Sequence, residues 1–261
     1  MLFRSKSSGK YFITCVFAIF IFLVVKRNNE WKDKETLFRT DCDNAPLSAK
    51  LHSLYALELI HQFRNAEVGG GTNPQEKIST AKEHLRQALA IYPDYANALS
   101  NLGYLLLLTR EQLPEARKLL EHSIQLVPDN AEVYYNYSNI LLLQRDFVQA
   151  QKALLRSIAL KPNSPEAFRL LFQLGSESGD FKSVARIFSS ALPLELRNDE
   201  LLTMNGNLFA RAGDTLAAVK CYDEAITFNP SNKNMGKFLV KYYLSKNDSL
   251  SAMRIRKLFG R

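Results

Sequence analysis

The sequence predicts an all-α protein, a superhelical solenoid of paired helices behind a single N-terminal transmembrane helix. Three observations carry that prediction. An uncharged run occupies residues 11–25. Prolines recur after amphipathic stretches at Pro93, Pro128, Pro162 and Pro230, with spacings of 35, 34 and 68 residues, the last being twice 34. Small residues recur with the same period, Ala81, Ala116 and Ala150 each standing seven positions before Ala88, Ser123 and Ser157. A fixed period of this size marks a repeat architecture. With only 11 Gly and 9 Pro in 261 residues, and a 46% hydrophobic composition, the chain can bury a core and lacks the punctuation of a many-stranded β protein.

In chain order, residues 1–10 form a basic segment with Arg4, Lys6 and Lys10. Residues 11–25, YFITCVFAIFIFLVV, are predicted as the transmembrane helix, bracketed by Lys26 and Arg27. Their fifteen residues span about 22 Å as a helix, short of the ~30 Å hydrocarbon core. Snorkelling Lys/Arg would have to make up the difference. No small-x-small cleavage site follows Val25, so an uncleaved anchor is preferred to a signal peptide. Lys/Arg number three before the run and five just after it, a bias toward a cytosolic carboxyl-terminal side. Residues 26–48 are assigned as a juxtamembrane linker.

Residues 49–230 divide into five helix pairs. Segments such as YANALSNLGYLLLLTREQLPEARKLLEHSIQLVPDN and AEVYYNYSNILLLQRDFVQAQKALLRSIALKPNS closely resemble the tetratricopeptide repeat. The first pair is interrupted by an insertion containing Gly69-Gly70-Gly71, read as a flexible loop, and the fourth is degenerate, with Leu196 where a proline is expected. Residues 231–261 are read as a capping helix, centred on 232–245, followed by a basic tail. Each pair has an apolar face that only a neighbour can bury.

The net charge of +8 resides at the ends. Residues 1–34 hold seven Lys/Arg and two acids, and 233–261 hold eight and one, which leaves 19 basic against 23 acidic residues in the body. A folded surface of that balance argues against nucleic acid as a partner. Cys15, Cys42 and Cys221, and His52, His61, His84 and His122, show neither disulfide nor metal-ligand spacing. No catalytic residue, cofactor or metal is expected.

The first helix of each pair places Asn97, Asn101, Tyr104, Tyr135, Asn136, Asn139, Arg169, Gln173, Asn207 and Arg211 on the inner face. Asn101 and Asn136 share a repeat position, and an amide both donates and accepts, so these residues are expected to line a groove for extended polypeptide. Leu108 and Leu143 occupy the places where a carboxylate-clamping repeat needs basic residues. Asn136 and Asn247 fit the glycosylation sequon.

Arg27-Asn28, Trp31, Leu37-Phe38, Pro46 and Ala49-Lys50-x-His52 resemble the junction between the last membrane helix and the lumenal repeats of the transmembrane and tetratricopeptide-repeat O-mannosyltransferases. The resemblance implies an endoplasmic reticulum membrane protein with lumenal repeats, linked to mannose transfer onto protein hydroxyls. It implies no catalytic residue, because that family's catalytic machinery lies in a multi-helix membrane domain and only one span is expected here. Two further expectations follow: the intact product is itself a mannosyltransferase of which this is the carboxyl-terminal part, or the chain is an independent cytosol-facing membrane adaptor.

Overall fold

The computed structural model describes the backbone of residues 6–66 and 73–259. Fourteen α-helices and no strand are present among them. They fall into two compact units, divided between Thr109 and Arg110. Gly69-Gly70-Gly71 and residues 1–5 of the basic segment lie outside the described residues.

The first unit contains α1 (Lys6–Glu30), α2 (Lys34–Asn44), α3 (Ala49–Ala66), α4 (Pro74–Ile91) and α5 (Ala96–Thr109). The expected linker is therefore mostly helical. Asp33 caps α2, its carboxylate accepting from the Thr36 N–H at 2.8 Å, and Arg27 lies 3.9 Å from Asp41. α2 packs on α3 and α3 on α4, burying Cys42, Tyr55, Ala56, Leu59, Ile60, Ile78, Ala81 and Leu85.

The expected single membrane span over 11–25 is not supported. Among the described residues no helix is long and apolar enough to cross a membrane. The reason is length, since fifteen apolar residues rise only about 22 Å. What α1 does show is apolar exposure on every side: Phe12, Phe17, Phe20, Ile21 and Phe22 are each between 61% and 71% exposed.

The second unit contains α6 (Leu113–Leu126), α7 (Ala131–Leu143), α8 (Phe147–Leu160), α9 (Pro165–Ser178), α10 (Phe181–Ala191), α11 (Asp199–Arg211), α12 (Thr215–Phe228), α13 (Lys233–Ser245) and α14 (Ser249–Phe259). Its core is built from successive helices, with Leu141, Leu154, Phe168, Leu171, Val184, Phe188, Leu201 and Leu208 all at most 2% exposed. Where the proline is missing, a short 3-10 turn at Leu194–Leu196 takes its place.

Two polar punctuation marks recur with the 34-residue period. First helices begin at Asn130, Ser164, Asn198 and Asn232. Three of these four cap their helix with the side chain; Ser164 does not. Second helices begin at Asp146, Asp180, Asp214 and Asp248, whose carboxylates accept from Gln149, Ser183, Ala217 and Ser251 N–H groups at 3.4, 3.2, 3.1 and 3.0 Å. Just before each stands a left-handed residue: Arg145, Gly179, Gly213 and Asn247, with φ between 60° and 79°.

This punctuation changes the reading of the carboxyl terminus. The residues expected as a basic tail form α14, and Asn247-Asp248 lies 34 positions after Gly213-Asp214, so α13 and α14 make a further pair in register. Ala252 and Ile255 are buried against Val219, Ile226, Leu239 and Val240. The charge of α14 sits on its outer side, where Arg256 and Lys257 are exposed.

Replacing the cap Asp214 by Ala is expected to cost about 0.5–2 kcal/mol of stability. Gly213→Ala adds a strained left-handed backbone and should also destabilise, although open space surrounds that Cβ. Denaturant melts of the two variants check both expectations; an unchanged midpoint in either would refute the role assigned to this turn.

Candidate functional site

The ten residues expected to line a groove divide between the units. Asn97, Asn101 and Tyr104 lie on α5 in the first, Asn97 exposed and the other two half-buried. The remaining seven lie in the second unit on α7, α9 and α11.

Within that unit the amides that align are not the pair singled out above. Asn136 is only 6% exposed, packed inside rather than presented, so it is neither a groove-surface group nor an accessible glycan acceptor. Asn139, Gln173 and Asn207 are spaced by 34 and 34 residues and are half-buried, exposed and exposed, respectively. They form the amide ladder of this unit. Asn139 Nδ2 donates to the Tyr135 carbonyl at 3.1 Å, Gln173 Nε2 to Glu177 Oε1 at 2.7 Å, and Asn207 Oδ1 accepts from the Tyr222 hydroxyl at 2.7 Å. Each bond fixes the amide while using one of its hydrogen-bonding positions, which leaves further capacity at each rung.

The two expected arginines are held by neighbours. Arg169 makes a two-pronged pair with Glu200, at 2.7 and 2.9 Å, and that bond holds the Glu200 carboxyl below its usual range. Arg211 lies over the Phe181 ring at 4.2 Å and reaches Ser176 Oγ at 3.3 Å. Both are exposed, so the Arg169 pair adds geometry more than stability, about 0–1 kcal/mol.

Past Asn207 the ladder opens into a cleft of ≈ 460 Å³ between α11, α12 and α13, lined by Thr203, Asn207, Thr215, Tyr222, Met235 and Phe238 among others. Phe238 is 46% exposed at its wall and meets the Tyr222 ring edge-on at 5.7 Å. Tyr222 thus fixes an amide and shapes an apolar wall, and burial raises its hydroxyl pKa. Sequence reasoning passed over Tyr222, Met235 and Phe238. The signal was Gly206, whose added Cβ would stand 2.5 Å from the Tyr222 ring.

Histidines that spacing left unconnected also meet. His52 Nδ1 and His84 Nδ1 are 2.8 Å apart, and His52 Nε2 lies 2.9 Å from the Pro46 carbonyl. Cys42 joins them, burial and then Asp43 and Asp41 pushing its thiol up to about 11. Burial, followed by His52, lowers His84.

A tetratricopeptide-repeat family model matches residues 107–174. Over those residues the chain carries tetratricopeptide repeats. The human protein O-mannosyl-transferase TMTC3 is 26% identical over 219 residues, 81% of this chain and 24% of that protein. The human protein O-mannosyl-transferase TMTC1 is 39% identical over 87 residues, 33% of this chain and 8% of that protein. The chain thus spans about a quarter or less of the curated relatives it matches. Among solved structures, YrrB, described as a TPR protein with an unusual peptide-binding site, superposes with a TM-score of 0.58 at 16% identity, covering 76% of this chain and 95% of that one. The type IV pilus biogenesis factor PilW gives a TM-score of 0.57 at 19% identity, covering 84% and 95%. These two likenesses are of fold.

Gly206→Ala is expected to displace the Tyr222 ring, at a cost of about 1–3 kcal/mol. Tyr222→Leu should recover part of that loss. A double-mutant cycle by chemical denaturation tests it, and strictly additive effects would show that the ring and the glycine do not constrain one another.

Proposed function

We propose that this chain is a polypeptide-binding repeat scaffold, held at the endoplasmic reticulum membrane by α1 and serving protein O-mannosylation by holding clients rather than by transferring sugar. The observation that carries the binding role is the ladder of Asn139, Gln173 and Asn207 leading to the Phe238 cleft. Fixed amides at a regular spacing suit the carbonyls and N–H groups of an extended peptide without reading its side chains. The apolar cleft then takes one hydrophobic side chain as an anchor. Asn97, Asn101 and Tyr104 extend the same amide and aromatic chemistry in the first unit.

The link to mannosylation rests on the similarity to O-mannosyl-transferases across most of this chain. The proposed membrane attachment rests on α1. Fifteen consecutive uncharged residues, apolar on all sides and exposed, place a large hydrophobic area in water unless an apolar phase receives it. Asn247, exposed in the turn before α14, is the proposed glycan acceptor of a lumenal body. The cytosol-facing adaptor stays open as a second reading because Lys/Arg count five after α1's apolar run against three before it.

Binding of a fluorescent extended peptide with one aromatic residue, followed by anisotropy, is expected to weaken roughly tenfold in the Gln173→Ala/Asn207→Ala double variant, two net hydrogen bonds being worth about 0.5–1.5 kcal/mol each. Helicity should not change. Equal affinity in the two proteins would reject the ladder as a binding surface. Charged residues at Ile19 and Phe20 should release the chain from carbonate-washed microsomes, each opposing insertion by about 2.5–3.5 kcal/mol at mid-membrane. Protection of the repeats from protease in sealed microsomes supports the lumenal reading, and digestion without detergent the adaptor.

A further inference from the structure

We propose that Cys42, His52 and His84 form a site for one borderline-soft divalent cation of the zinc type, which fastens α2 to the α3–α4 pair. One ligand atom from each residue lies within 4.8 Å of the other two. The three come from three different helices: Cys42 from α2, His52 from α3 and His84 from α4.

The donor set selects the cation. One sulfur and two imidazole nitrogens suit Zn2+ and its relatives, whereas Mg2+ and Ca2+ require oxygen. Two of the three side chains are buried, Cys42 at 4% and His52 at 6% exposure, and the half-buried His84 forms the open edge by which an ion enters. Three protein ligands leave a fourth tetrahedral position for water or another group.

Outer contacts prepare the site. The Pro46 carbonyl can only accept, so His52 carries its proton on Nε2 and turns an unprotonated Nδ1 toward His84. A metal-ligating histidine commonly donates its other ring N–H to a backbone carbonyl in this way. Two Nδ1 atoms at 2.8 Å are then bridged by a single proton, which His84 donates. A cation replaces that proton with little movement: Zn–N bonds of about 2.0–2.1 Å at a tetrahedral angle separate the nitrogens by about 3.3 Å. The Cys42 S–H bond breaks and its proton leaves to solvent, a metal–thiolate bond forms, and the His84 proton moves from Nδ1 to Nε2.

The three residues were invisible as a motif because they stand 10 and 32 positions apart. α2 otherwise has few buried anchors, Cys42 being its one buried residue. A cation here therefore adds cohesion where the helix that follows α1 meets the first helix pair.

The test uses the full chain in detergent under reducing conditions, with Cys15 and Cys221 changed to Ala so that other thiols do not contribute. After chelator treatment, Co2+ should bind one per chain and give a thiolate-to-cobalt charge-transfer band with the intense visible bands of a tetrahedral site, displaced by Zn2+. Zn2+ at a hundredfold excess over its Kd should raise the folded-to-unfolded ratio about a hundredfold, reversed by chelator. Cys42→Ser should lose the charge-transfer band and His84→Gln should weaken Co2+ binding at least tenfold while the far-ultraviolet spectrum stays helical. Absence of the thiolate band in the parent chain overturns the proposal, as does its persistence in Cys42→Ser. Should Cys42→Ser fail to fold, undiminished Co2+ affinity in His84→Gln also overturns it.

Discussion

Everything in the second unit depends on one local device, the left-handed residue followed by a capping aspartate. At Arg145-Asp146, Gly213-Asp214 and Asn247-Asp248 the aspartate N–H closes back onto a carbonyl five residues earlier, at 2.9 Å each time. Its carboxylate meanwhile opens the next helix. One residue thus satisfies orphan groups of two helix ends at once, which forces the chain to reverse within two positions. At Gly179-Asp180 the same turn uses the Ser178 hydroxyl as acceptor, at 3.2 Å. The geometry survives because the left-handed residue and the carboxylate are both retained.

Once reversal recurs every 34 residues, side chains at equal positions must stack. That is why Ala150, Val184, Ala218 and Ala252 are all buried, and why Asn139, Gln173 and Asn207 rise as one ladder. Close helix approach is the second requirement. Gly175 meets Val184 and Leu208 at 2.9 Å from where a Cβ would sit, and Gly206 meets Tyr222 closer still. The binding surface is thus a consequence of packing: the ring that excludes a side chain at 206 also fixes the amide at 207.

The repeating body was legible in the proline and alanine spacing, since both report helix ends and buried seams that tolerate little variation. Other features were not, for identifiable reasons. α14 was hidden by its charge, because the composition of 233–261 draws attention to an exposed face while Ala252 and Ile255 carry the packing. Asn136 was misplaced by a matter of helical rotation. Three residues separate it from Asn139, about 60° around the helix, enough to move an amide from the interior to the edge of the exposed face. The Cys42–His52–His84 cluster could not be read at all, since nothing in a linear spacing of 10 and 32 implies a meeting of three helices. The membrane span was read from the lack of charge over 11–25, with snorkelling Lys/Arg expected to make up the missing length, and among the described residues no helix is long and apolar enough to cross.

α1 and the cysteine–histidine cluster make opposing demands on the helix between them. An apolar helix with no protein covering it is drawn wherever hydrocarbon is available, and α2 follows it after only Trp31, Lys32 and Asp33. Any displacement of α1 therefore pulls on α2. The interactions that resist include a half-buried ion pair between Lys77 and Glu35 at 3.6 Å, packing of α2 on α3, and the contacts of Cys42. A bound cation would add a further tie holding α2 against such a pull, since releasing the helix would expose an unsatisfied thiolate together with the ion. Loss of the ion should therefore loosen α2 before it unfolds the helix pairs, whose own turns and seams do not involve Cys42.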